Sequence, residues 1–373
     1  MTSSEHQILL AASDISPGAG QWGKLRELMS REFDAQRLIE LAIREGLVGL
    51  LYKSLLKSGS LESLDPARGQ KLQSLYYLNV RNNLKLLHDF KEILQKLDQN
   101  DIRVVPLQGI VLLQQVYQDI GLRPLTDIDL WVLPGERQKL AQTLLGLNYE
   151  IDPAYPNTFR KGSTIVDVNT HILWAERIRT RRLLLDRDQK DIYDNCRFID
   201  FEGIRTLSLN RHDQVLYLSL HVLKHYADRL IWLVDIRGLI ADWTPSDWEM
   251  LMKRARVLGQ EKAVACILFL LTDLFDNPLP PEAQAALEKI GLNPLERMLL
   301  KKRSNGHALP AWSPLLLFTA GKGLYRRVVF GFETLFPRPR ILRQVFSNYP
   351  DLKTWQLYWK RVLQLLGWRF KAV

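Results

Sequence analysis

The chain is poor in cysteine, with two among 373 residues, and in histidine, with seven, and it has no apolar run longer than 263–271. Each shortage excludes a class. Cys196 and Cys266 stand singly, without a CxxC partner, too few for a disulfide framework or a four-ligand zinc site, and they read as buried thiols of a reducing compartment. The 263–271 run falls well short of the roughly 20 residues that cross a bilayer. Residues 1–16 lack the basic start and continuous apolar core of a signal peptide, so the expected location is the cytoplasm. What is present is 46% hydrophobic and 25% charged residues, which is incompatible with disorder and ample for two or three domains of roughly 150 residues each.

The net charge of +10 is concentrated at one end. Residues 321–373 carry eleven Lys and Arg against Glu333 and Asp351, a local +9, so the first 320 residues are almost neutral. A basic end predicts an anionic partner without requiring that the charge touch an active site.

Periodicity predicts an all-helical first hundred residues, with apolar positions at helical spacing over 34–56 (Leu38, Leu41, Ala42, Leu47, Leu51) and one long amphipathic helix over 66–97. The pattern then changes. A β-branched run at 102–107, a helix at 111–116, a strand at 127–132 and a helix at 135–147 open a small α/β core. Extended runs at 158–161 and 164–168 meet at Gly162 and Ser163 as in a hairpin, and a second pair flanks Glu202 and Gly203. From 212 to about 303 only helices are expected, and the Pro-, aromatic- and Arg-containing segment 310–373 ends in a helix at 352–366. The expected fold class is α+β, divided as an N-terminal helical region 1–100, an α/β core 101–210, a helical domain 211–305 and a basic, aromatic region 306–373.

The acidic residues carry the chemistry. On a strand Ile128, Leu130 and Val132 share the core face, which leaves Asp127 and Asp129 together on the other. Aspartate is disfavoured in strands, and two such charges roughly 6.5 Å apart repel by about 2.5 kcal/mol at an effective dielectric near 20, so a divalent cation between them would reverse the sign. Ile165-Val166-Asp167-Val168-Asn169 repeats the pattern and brings a third carboxylate with Asn169 beside it. Three aspartates on adjacent strands can hold two Mg²⁺ (or Mn²⁺) ions about 3.5 to 4 Å apart, the arrangement that phosphoryl transfer uses. A second acidic triplet, Asp186-Arg187-Asp188, lies among arginines with no strand around it and reads as a solvated charge cluster.

The ordered motifs Val104-Val105-Pro106-Leu107-Gln108-Gly109-Ile110, Gly121-Leu122-Arg123 and Asp127-Ile128-Asp129, followed by Asp167, resemble the uncharacterised bacterial nucleotidyltransferase family related to the DNA polymerase beta superfamily. His221-Val222-Leu223-Lys224-His225 and Trp232-Leu233-Val234-Asp235 resemble its C-terminal helical signature, so the resemblance spans 81–240. It implies a nucleotidyltransferase core, Asp127 and Asp129 as metal ligands, and Asp167 as the third ligand or the base for an acceptor hydroxyl. It also implies that Gly109 sets a turn against the triphosphate, where a helix N-terminus favours anions. The sequence departs from the family at Gln108, where a Lys is usual, at Ile110, where the wider superfamily has Ser, and at Asn169, where a His is frequent. Gln108 can still donate a hydrogen bond to phosphate, and Asn169 can position the nucleotide.

Arg123 reads equally as a phosphate contact or as a surface salt-bridge partner. His221 and His225, one helical turn apart, have zinc spacing but no third ligand, which favours packing or a hydrogen bond to Asp235. In the tail, cations alternate with Tyr325, Phe330, Phe332, Phe336, Phe346, Trp355, Tyr358, Trp359 and Trp368. That mixture suits packing on the helical domain, a peripheral place on an anionic membrane surface, or nucleic acid. The expected function is Mg²⁺-dependent transfer of a nucleoside monophosphate from an NTP to an acceptor hydroxyl. The alternatives are a degenerate core serving as a scaffold tethered by the basic tail, and a metal-dependent glycosyltransferase.

Overall fold

The computed structural model describes residues 3–275 and 279–366. Among them the apolar stretch at 34–56 divides into two helices, Ala35–Glu45 and Val48–Ser58, because Gly46 closes the first with a left-handed C-cap. Pro66–Gln99 is a single helix of 34 residues, started by Asp65, whose carboxylate accepts from the Arg68 N–H, and by Pro66 in its first turn. Its buried side, including Leu86, Phe90, Ile93, Leu94 and Leu97, lies toward the sheet, and Phe90 meets Phe201 edge-on at 4.7 Å.

The central sheet has five strands: β1 (Val105–Leu107), β2 (Ile128–Trp131), β3 (Glu150–Ile151), β4 (Thr158–Lys161) and β5 (Thr164–Asn169), in the spatial order β1-β2-β5-β4-β3. Only β2 and β5 run parallel, and the Arg137–Gly146 helix lies in the connection between them. The sheet is therefore small and mixed, and its mainly antiparallel pairing fits the α+β class. β6 (Arg197–Phe201) and β7 (Ile204–Ser208) form a separate hairpin that packs on β1 and on the long helix. Ile128, Leu130, Val166 and Val168 are sealed on the core face, while Asp129 and Asp167 stay half-buried on the other, as the alternation predicts.

The segment leading into β2 is held by a side chain that periodicity does not single out. Asn83, fully buried on the long helix, donates to the carbonyls of Ile120 and Arg123 and accepts from the Leu125 N–H at 3.0 Å. A Cβ on Gly49 would lie 2.1 Å from the Gly121 carbonyl oxygen, so only glycine lets the Val48–Ser58 helix press this close to the same segment.

From Arg211–Lys224 to Pro294–Ser304 the regular elements among the described residues are all helices, and one continuous core runs from Ile8 to Phe330. Leu342, Phe346 and Leu357 make a smaller one. The last described helix, Thr354–Leu365, falls where expected, and Trp368 lies outside the described residues. The C-terminal region is tied to the segment after β5. Glu333 accepts from the Arg179 and Thr180 N–H groups and the Thr180 hydroxyl, and Arg338 donates to the carbonyls of Glu176 and Arg177. Asp186 is not a free surface charge as expected, since it pairs with Lys322 and Arg326, and Asp188 caps the Gln189–Asp194 helix. Cys266 is buried, but Cys196 only partly so, and burial pushes both thiols up to about 12. Among the described residues no helix is long and apolar enough to cross a membrane.

Candidate active site

Pairing of β2 with β5 puts Asp129 directly opposite Asp167 on neighbouring parallel strands. Each carboxylate is held by neutral donors. Asp129 Oδ2 accepts from Gln108 Nε2 at 2.8 Å, Asp129 Oδ1 from Asn169 Nδ2 at 3.4 Å, and Asp167 Oδ1 from the Thr158 hydroxyl on β4. Asp127, just before β2, accepts from the Thr126 hydroxyl at 2.9 Å. Gln108 also donates to the Tyr217 hydroxyl at 2.9 Å, and with φ 56° and ψ −131° its backbone is in a region that side-chain-bearing residues avoid. The two side-chain bonds hold it there.

The electrostatics follow from like charges in a half-closed space. Burial, then the charges of Asp127 and Asp167, push the Asp129 carboxyl well above the ordinary range, against the pull of Lys224 and Asn169. Burial also raises Asp167, which the Thr158 hydroxyl moderates, while Asp127 adds to the rise and Lys224 and Arg177 oppose it. Lys224, at the end of the Arg211–Lys224 helix, is therefore part of this centre, together with Arg177 and Arg181 after β5. Sequence reading left these three cations out. The only signals were the place of Lys224 between two histidines and the density of arginines over 177–182.

Two expected nucleotide contacts sit elsewhere. Arg123 is a buried ion-pair partner and not a surface one: its guanidinium, 7% exposed, forks onto the fully buried Asp235 at 2.9 Å through both Nε and Nη2. The Tyr117 hydroxyl donates to the same carboxylate at 2.7 Å. At Gly109 the Arg123 side chain by itself demands a glycine, since a Cβ there would fall 2.3 Å from Arg123 Nη1 and 2.7 Å from Leu125. With Asp235 so occupied, His221 does not bond to it. Both its ring nitrogens are buried without a partner, and the ring packs against His225 at 4.6 Å and Trp232 at 5.0 Å.

Among the described residues no three His, Cys, Asp or Glu side chains are gathered closely enough to cage a metal by themselves. The donor set nevertheless fits a hard cation. Mg²⁺ is usually held by one or two carboxylates, with water and substrate phosphates completing the shell, and Asp129 and Asp167 are in-register carboxylates whose mutual repulsion such an ion removes.

In-register carboxylates on a small mixed sheet, with Lys224 from a helix bearing on both, are an arrangement that phosphoryl transfer can use. The chain is a member of the uncharacterised nucleotidyltransferase family, which matches residues 31–276 and so extends beyond the 81–240 span of the motifs. It is accordingly a transferase with a nucleotidyl-transfer role. Comparison with solved structures finds an antigenic nucleotidyltransferase-like protein from Paracoccidioides brasiliensis, at 16% identity over 54% of this chain and 92% of that one, with a TM-score of 0.38. Comparison with curated proteins finds no match.

Proposed function

We propose that the chain moves a nucleoside monophosphate from an NTP to an acceptor hydroxyl in a Mg²⁺- or Mn²⁺-dependent reaction centred on Asp127, Asp129 and Asp167. The observation that carries this reading is the placement of Asp129 opposite Asp167 across β2 and β5, a costly pairing unless a cation joins them. Ions held by Asp129 and Asp167, with Asp127 beside them and water and substrate phosphates completing the shell, would supply charge neutralisation at the attacking and leaving oxygens. Asp167, whose raised carboxyl is suited to receiving a proton, takes it from the acceptor hydroxyl. The acceptor oxygen bonds to the α-phosphorus, the bond to the β-phosphate oxygen breaks, and pyrophosphate leaves. Gln108 and Asn169 orient Asp129 rather than the nucleotide, a use of both departures from the family pattern that is compatible with activity.

Isothermal titration tests the reading. NTP binding is expected to require Mg²⁺ and to vanish in Asp127→Ala/Asp129→Ala, and undiminished, metal-independent binding in that variant would reject it. Labelled NTP with Mn²⁺ and a cell extract then shows which molecule receives the label.

For the C-terminal region we propose an anionic membrane surface as the partner. Leu324, Tyr325, Val328 and Phe332 form one exposed face of the Leu324–Leu335 helix, and Trp355 and Trp359 one of Thr354–Leu365, with Leu366 beyond it. Leu324 is 78% and Trp355 67% exposed. Aliphatic side chains cannot stack on bases but do enter a headgroup layer, and the local +9 suits acidic lipid. Sedimentation with phosphatidylserine-containing vesicles, but not with neutral ones, is the expected result, with loss in Leu324→Glu/Val328→Glu/Trp359→Glu. Failure to sediment, or binding of single-stranded RNA that the triple variant keeps, counts against it.

A further inference from the structure

We infer that Lys224, Arg177 and Arg181 form the subsite that receives the β- and γ-phosphates, in place of the strand-to-helix turn at Gln108 and Gly109. The inference rests on the nucleotidyl-transfer reading of the same centre and names its substrate-binding cations.

The turn is closed to an anion. The Gln108 amide is already engaged by Asp129 and Tyr217, the Arg123 guanidinium fills the space beside Gly109, and the helix that follows, Gly109–Gln115, has seven residues. No cation points outward there, because Arg123 is bound to Asp235.

Across the carboxylates the reverse holds. Lys224 acts electrostatically on both Asp129 and Asp167, and Arg177 and Arg181 act on Lys224, so five charged groups share one neighbourhood. Among the described residues none of the three cations makes an ion pair or donates a side-chain hydrogen bond, and Arg181 Nε is buried with no acceptor. Arg177 is exposed, but Arg181 is not, and other enclosed arginines of the chain do not behave as Arg181 does: Arg123 faces Asp235, Arg254 faces Asp213, and Arg303 faces Glu45. The two carboxylates that Arg181 feels, Glu176 and Glu333, accept from Thr170 and from Arg179 and Thr180 instead. Lys224 has only the Trp174 ring, 3.4 Å away at its centre.

Three cations gathered without a direct ion-pair partner repel one another, and the carboxylates nearby offset that repulsion only in part. Burial first, then Arg181, holds the Lys224 amine well below its ordinary range, and burial, then Arg177, brings Arg181 down to about 10. Such a cluster is stabilised by a compact polyanion, and guanidinium forks match phosphate oxygens in pairs. Its position beside Asp129 and Asp167 suits a triphosphate whose α-phosphate lies over the carboxylates and whose outer phosphates reach the cations. The segment carrying Arg177 and Arg181 is held from behind by Glu333 and Arg338, so the basic C-terminal region braces the subsite without entering it.

Inorganic tripolyphosphate, titrated calorimetrically into the full chain in EDTA, is the probe. Binding is expected, with a loss of about 10-fold or more in Lys224→Met and in Arg181→Gln, the range for one charged hydrogen bond. Lys224→Arg should restore much of it. Asp129→Asn/Asp167→Asn should bind as tightly as the parent or tighter, because it removes negative charge. No binding by the parent, or equal binding by Lys224→Met and Arg181→Gln with circular dichroism showing all to be folded, overturns the subsite. If the transferase reading fails instead, Mg²⁺-dependent NTP binding is absent while the tripolyphosphate pattern remains.

Discussion

Asn at both Asp129 and Asp167 is expected to end nucleotide transfer and, in EDTA, to make the protein more stable. The two carboxylates occupy paired positions on strands about 4.8 Å apart, and at an effective dielectric near 20 two full charges at that spacing repel by about 3 kcal/mol. Both carboxyls are raised above the ordinary range, so between the unfolded and the folded values the folded chain keeps protons that the unfolded chain has released. The stability these groups contribute is complete below about pH 4, the value for an unfolded aspartate, and is lost as the pH rises through the raised folded-state values. The melting temperature of the parent relative to the Asn pair should therefore fall with rising pH, leaving the variant ahead by about 5 °C near pH 7. Thermal melts from pH 4 to 8 check this. An Asn pair that is less stable than the parent at neutral pH would mean that the Gln108, Asn169 and Thr158 bonds outweigh the repulsion.

The largest loss of stability is expected from Asp235→Ala. It would leave the Arg123 guanidinium enclosed without a counter-charge and the Tyr117 hydroxyl without its acceptor, a change that typically costs about 3–5 kcal/mol. Removing both charges is milder, because nothing charged remains to be desolvated. Arg123→Met/Asp235→Leu should recover most of the loss in a denaturant titration and keep NTP affinity within a few-fold of the parent. A phosphate-binding Arg123 would give the opposite pattern, with stability nearly unchanged in Arg123→Met and NTP affinity strongly reduced.

Much of the architecture was legible from local pattern alone. The hairpin around Gly162 and Ser163, the second around Glu202 and Gly203, the long helix from Pro66 and the helical run after Arg211 all follow from period and punctuation, which act over a few residues. The misreadings share one feature. Local sequence around Arg123 shows a strand entrance before a proline, yet its partner is Asp235, and Gly109 reads as a turn while the Arg123 side chain is what constrains it. Asp186 reads as solvated only while Lys322 and Arg326 are out of sight.

By itself the sequence determined that Asp129 and Asp167 turn away from the core, because strand alternation is a property of the backbone with period two. It also determined the α+β class and the basic end. Only the tertiary structure decided that Asp129 meets Asp167, since a parallel register is set by packing between segments that share no local signal. The same holds for Lys224, Arg177 and Arg181: their convergence on those carboxylates depends on how a helix and a connecting segment dock, and charge felt through space leaves no trace in residue spacing.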